Sequence, residues 1–162
     1  MGAYDVLVAA ILTRELGGFV HSASLGRVTT EGLFQLKVHP KLHRRPDVAF
    51  VSYGRWAADR PVPRTDPWEV VPDLAVEVVS RSNTADNVLN KVGEYFDSGT
   101  RAVWVVYPVA SQVYIYDSPL TVRVLARSDE LDGGDILPGF RLPLTTLFEQ
   151  ESDPEASSLV TD

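Results

Sequence analysis

With 162 residues and a formal net charge of -7, the chain is long enough to bury a core, and 44% hydrophobic against 23% charged residues is the balance of an ordinary globular protein. The absence of cysteine excludes disulfides, thiolate zinc centres and cysteine nucleophiles, while His21, His39 and His43 lack metal-ligand spacing. The apolar run "DVLVAAIL" stops at Thr13, well short of a membrane span, and the start has no basic secretory region, so a cytosolic protein with no membrane partner is expected.

In chain order, residues 3–16 carry Val6, Ala9, Ala10 and Leu16 at helical spacing, a pattern that can run on to about residue 22 through Gly17 and Gly18. The β-branched and aromatic stretches at 27–38 and 47–52 predict strands, with "HPKLHRRP" as a polar turn between them. A helical turn is expected at 53–57, followed by the proline-rich loop "ADRPVPRTDPW". The near-continuous apolar run "DLAVEVVS" suits a central strand covered on both faces.

The next segment, "SNTADNVLNKVGEYFDSG", predicts a helix. Asn83 or Thr84 serves as N-cap, Asp86 lies in the first turn, Val88, Leu89, Val92, Tyr95 and Phe96 make the apolar stripe, and Gly99 terminates it. "RAVWVVYP", "QVYIYDS" and "TVRVLA" are three further strands joined by short turns, and a helical turn is expected at 145–148. Residues 150–162 form an acidic tail, expected to be disordered, after a single domain over 1–149. This order predicts an α/β or α+β domain, a mixed sheet flanked by helices.

Charge is unevenly spread along the chain. Between 37 and 64, seven basic residues face only Asp47 and Asp59, a local +5, whereas 129–162 holds nine acids against Arg141. Arg44, Arg45 and Arg55 are therefore candidates for nucleic-acid contact, beside the simpler reading of a solvated basic loop.

Along a strand, Asp73, Ala75, Glu77 and Val79 share one face. A carboxylate among such apolar neighbours needs a partner, and a metal ion, an arginine or a lysine can serve; an ion pair with Arg101 is the structural alternative. Asp47 opens another hydrophobic strand after Pro46, and two carboxylates on neighbouring strands can converge on one hard cation such as Mg²⁺ or Mn²⁺. Asp73 is a further possible member, although four residues of strand place it about 13 Å from Glu77.

"RRPDVAFVS", "VPDLAVEVVSRSNTADNVLNKVGEYFDSGTRAVWVVYP", "VYIYD" and "GGDILPGFRLPLTTLF" together resemble a large bacterial family of restriction-endonuclease-like proteins, within the PD-(D/E)XK nuclease superfamily, over roughly residues 25–149. The resemblance implies a restriction-endonuclease-like mixed sheet and Mg²⁺-dependent cleavage of phosphodiester bonds, with DNA the expected substrate. It places Asp47 and Glu77 on metal-ligand positions. It also makes Lys91 the helix lysine that replaces the strand lysine missing at Val79. Helical geometry permits this, since Lys91 sits about 60° from Val88 and about 40° from Tyr95, at the edge of the apolar stripe.

Two departures stand out. Many members of the family it resembles begin with a strand-rich segment ahead of the first long helix, so Glu31, or Glu15 on that helix, is the expected source of any further acidic ligand; and the aspartate usual after the tryptophan strand is Tyr107 here. Kinship of fold does not establish catalysis, and an inactive nuclease fold that binds nucleic acid or protein is the alternative. A homodimer is expected by analogy with compact nucleases that cut duplexes.

Overall fold

A computed structural model describes residues 1–37 and 39–148; the expected acidic tail at 150–162 lies outside the described residues. The chain begins with helix α1 (Ala3–Ser22). Two glycines cost such a helix about 1 kcal/mol each, yet it runs past both. Packing offsets that cost: Leu16 and Val20 are buried, and Phe19 meets Phe140 edge-on at 5.5 Å between ring centroids.

The predicted strand at 27–38 is in fact two strands, β1 (Gly26–Thr30) and β2 (Phe34–Lys37), separated at Glu31, whose φ of 49° turns the chain. The expected polar turn after it contains a short strand, β3 (Leu42–Arg44), paired antiparallel with β2. Strand β4 (Val48–Ser52) follows. The helical turn expected at 53–57 is a turn in which the N–H groups of Arg55 and Trp56 both donate to Ser52 O, without going on into a helix.

Next come β5 (Leu74–Val78), helix α2 (Ala85–Ser98), β6 (Ala102–Tyr107), β7 (Gln112–Ser118) and β8 (Thr121–Leu125). Helix α2 starts at Thr84, whose hydroxyl accepts from the Asn87 N–H at 3.2 Å, and stops at Gly99, which takes the left-handed φ of 103°. Two three-residue strands unforeseen from the sequence, β9 (Glu130–Asp132) and β10 (Arg141–Pro143), pair antiparallel ahead of the short α3 (Leu144–Leu147).

Among the described residues, six strands form the main sheet in the order β1-β4-β5-β6-β7-β8. The β5–β6 pair is parallel, bridged by α2, and the other neighbours run antiparallel. This is a mixed α/β architecture with helices on both faces. On one face α1 and α3 cover Val48, Phe50, Leu74, Val76, Trp104, Val106 and Ile115. On the other, α2 and the β2–β3 hairpin cover Ala49, Val51, Ala75, Val103 and Val105. All five residues of β5 are buried, which explains its near-continuous apolar character. Glu77 is the carboxylate among them, and the alternation of the strand directs it to the α2 face along with Ala75.

Candidate active site

Strands β4 and β5 pair with Val48 opposite Val76, so one step further Asp47 comes opposite Glu77 at the mouth of the sheet. Directly opposed residues of an antiparallel pair are neighbours, and the Glu77 carboxylate acts on Asp47 at this end of the strands, where Asp47 also lines a cleft with Val6, Ala9 and Ala10 of α1. Asp47 Oδ2 accepts the N–H of Val78 at 2.6 Å, fixing the aspartate across the two strands.

Glu77 is buried, and both of its oxygens have partners. Lys91 Nζ donates to Oε2 at 2.8 Å and the Tyr95 hydroxyl donates to Oε1 at 2.7 Å. The lysine reaches Glu77 because α2 lays Asn87, Lys91 and Tyr95, each four residues apart, along one side. A narrow cleft lined by Glu77, Val78, Val79, Asn83, Asn87, Val88 and Lys91 opens between the end of β5 and the first turns of α2.

Electrostatics mark the same spot. Burial pushes the Asp47 carboxyl up to about 6; the Val78 N–H opposes this, Glu77 adds to it, and Lys91 and Glu31 contribute smaller effects of opposite sign. Burial first, and then the Glu77 carboxylate, push the Tyr95 phenol well above its ordinary range, so that it stays protonated and serves as a donor.

A half-buried carboxyl that resists ionisation beside a second carboxylate is suited to a hard divalent cation, which would supply the missing positive charge. Asp47 Oδ1 accepts no hydrogen bond among the described residues, so an oxygen ligand is available there. Among the described residues, however, no group of three or more His, Cys, Asp or Glu side chains stands together to hold an ion. The residues present therefore fit an ion held by two carboxylates that keeps water or substrate oxygens for its remaining positions, as Mg²⁺ commonly does.

The family model described as "Uma2: Putative restriction endonuclease" matches residues 4–145. The chain belongs to this family. The crystal structure of "a putative nuclease belonging to DUF820" from Anabaena variabilis ATCC 29413 superposes with a TM-score of 0.75 at 15% identity, covering 92% of this chain and 82% of that one. At that identity the likeness carries the fold, which is the nuclease-like fold expected from the sequence. No curated protein matches the chain.

In this Uma2 protein the remaining candidates fall elsewhere. Asp73 does not join Asp47 and Glu77: it opens β5 at the far end, buried, where its Oδ2 accepts the Ser52 N–H at 2.7 Å and its Oδ1 lies 3.2 Å from Arg55 Nε and 3.7 Å from Arg101 Nη1. Arg101, offered as a structural partner for Glu77, serves Asp73 instead. Glu31 stands near Asp47 through its backbone, its N–H donating to Asp47 O at 3.2 Å, and the two residues line a shallow cleft with Thr30 and Val6. Glu15 pairs with its neighbour Arg14.

The three arginines assigned to nucleic acid are occupied within the protein. Arg44 on β3 forks onto Glu94 of α2 with two bonds of 2.6 Å. Arg45 donates to Glu31 O and lies 3.6 Å from Asp66. Arg55 donates to Val71 O, Pro72 O and Gly99 O besides pairing with Asp73. Tyr95 and Asn87 were not singled out from the sequence as parts of the site; the i, i+4, i+8 spacing through Lys91 is the signal that marks them.

Proposed function

We propose that this protein is a divalent-metal-dependent endonuclease that hydrolyses phosphodiester bonds, with DNA as substrate and Mg²⁺ or Mn²⁺ as cofactor. One observation carries the reading: adjacent antiparallel strands bring Asp47 beside Glu77 at one end of the sheet, and α2 delivers an ammonium onto Glu77. Asp47 and Glu77 would hold the ion, which when bound supplies polarisation of the phosphodiester and a more acidic water. Lys91 holds positive charge beside the same carboxylate, where charge builds up on the phosphate oxygens as water attacks phosphorus and the P–O bond breaks. The Val78 N–H holds Asp47 in place, and the buried β5 keeps Glu77 rigid.

Membership of a family described as restriction endonucleases supports the class of reaction. No helix among the described residues is long and apolar enough to cross a membrane. A homodimer would place two such sites on the two strands of a duplex, and light scattering giving a monomer mass would remove that part of the proposal.

Incubating the protein with plasmid, single-stranded DNA and RNA in Mg²⁺ or Mn²⁺ tests the reading. Metal-dependent cleavage abolished by Glu77→Ala is the expected result; no cleavage of any substrate, or cleavage that survives Glu77→Ala, overturns it.

A second reading draws on the occupancy of Glu77. With both oxygens taken by Lys91 and Tyr95, Glu77 is already partnered within the protein, which suits a non-catalytic nucleic-acid or protein-binding module. Calorimetry showing no Mg²⁺ or Mn²⁺ binding, with melting unchanged by EDTA, would favour this second reading.

A further inference from the structure

The two partners of Glu77 differ in what they allow. Lys91 is 34% exposed and carries its ammonium on a flexible stem, which gives it water as an alternative partner to Oε2. Tyr95 is fully buried and belongs to the same apolar cluster as Val92, Val103 and Val105, with its hydroxyl directed onto Oε1. A carboxylate is otherwise nearly free to turn about its last torsion, and a donor on a ring fixed by packing removes that freedom.

We propose that Tyr95 is a positioning residue: it clamps Glu77 through Oε1 and leaves Oε2 as the oxygen offered to a divalent cation. This inference rests on the nuclease reading above and assigns to the site a residue that never touches substrate. It also explains why a hydroxyl, rather than the phenylalanine that would fill the same core space, stands on the buried side of α2: an apolar ring there would leave Oε1 without a donor inside the protein.

The test is Mn²⁺ binding, read from the paramagnetic resonance of the free ion, on the full chain and its Tyr95→Phe and Glu77→Gln variants, with folding checked by circular dichroism. Loss of a partner that orients a metal ligand is expected to weaken Mn²⁺ binding by roughly 10- to 100-fold in Tyr95→Phe. Restoring an N–H donor with p-aminophenylalanine at position 95 is expected to recover most of it. Unchanged Mn²⁺ affinity in Tyr95→Phe, alongside lost affinity in Glu77→Gln, overturns the positioning role alone. Absence of Mn²⁺ binding by the wild type overturns the nuclease reading together with it. If Tyr95→Phe does not fold, the unaltered protein decides the matter: the Tyr95 hydroxyl proton should remain protected from exchange at saturating Mg²⁺, and its rapid exchange there overturns the clamp.

Discussion

Lys91 Nζ lies 2.8 Å from Glu77 Oε2, and the two side chains meet from opposite environments, the lysine 34% exposed and the glutamate 8%. That asymmetry makes the carboxylate dependent on the lysine more than the reverse. Replacing Lys91 with Met keeps an apolar stem but leaves Glu77 with Tyr95 as its donor, and the expected loss, moderated by the exposure of the lysine, is about 1–2 kcal/mol in urea unfolding. Mn²⁺ binding should be retained or tightened, because a competing cation has gone, while cleavage falls about 100-fold or more. Calorimetry and a cleavage assay on one preparation separate the two effects; weaker Mn²⁺ binding in Lys91→Met would contradict this role for the lysine.

Asp47 makes stability depend on pH with a definite sign. Its folded pKa, pushed up to about 6, lies above the ordinary 3.8, so the folded state favours the proton. The stabilising contribution is complete below about pH 4 and is lost as pH rises through about 6. Asp47→Asn keeps an oxygen acceptor for the Val78 N–H and removes the charge. It should therefore gain on the wild type between pH 5 and 8, reaching about 1 kcal/mol once solvent screening of a half-buried group is allowed for. Urea titrations across that pH range, without divalent metal, measure the difference; parallel pH profiles for the two proteins would rule the effect out.

How much of this was legible in the sequence follows from where each signal is written. Strand β5 and helix α2 were readable because burial on both faces leaves a near-continuous apolar run, and because Thr84, a helical stripe and Gly99 are local marks. The break between β1 and β2 was not, since a glutamate at positive φ has no local signature. Strands β9 and β10 are three residues each, too short for periodicity to register. Asp47, Glu77 and Lys91 emerged from a family pattern whose helix motif K-x-x-x-Y also falls on Lys91 and Tyr95, but Tyr95 was given no role in the site, because the ring packs and its hydroxyl finds its partner through tertiary register. The internal contacts of the arginines were not legible because several of their acceptors are backbone carbonyls, which composition does not reveal.

Gly26 tests whether the edge strand supports the site. A Cβ there would come 2.2 Å from Val51 O and 2.8 Å from a Phe50 ring carbon, so Gly26→Ala must push β1 away from β4. The expected cost is about 1–3 kcal/mol. Because β1 leads into Glu31, whose N–H bonds to Asp47 O, amide exchange should accelerate at Glu31 as well as along β1. Acceleration confined to residues next to Gly26 would show that the Glu31 turn holds without the strand.

Arg55 separates a structural arginine from a nucleic-acid contact. Asp73 is 2% exposed, and Arg55 supplies its nearest charge at 3.2 Å while tying Val71, Pro72 and Gly99 together through their carbonyls. Arg55→Ala leaves Asp73 with the Ser52 N–H and the more distant Arg101, and should lose about 2–4 kcal/mol. The salt dependence of nucleic-acid binding, measured at a temperature where the variant is folded, should be unchanged, because the guanidinium already spends its donors inside the protein. Lys41→Ala or Arg64→Ala, both at exposed positions of the same basic segment, should instead leave stability alone and, where the side chain meets a phosphate, lower the salt slope by about one unit. An Arg55→Ala protein with wild-type stability and a reduced slope would return Arg55 to the binding surface.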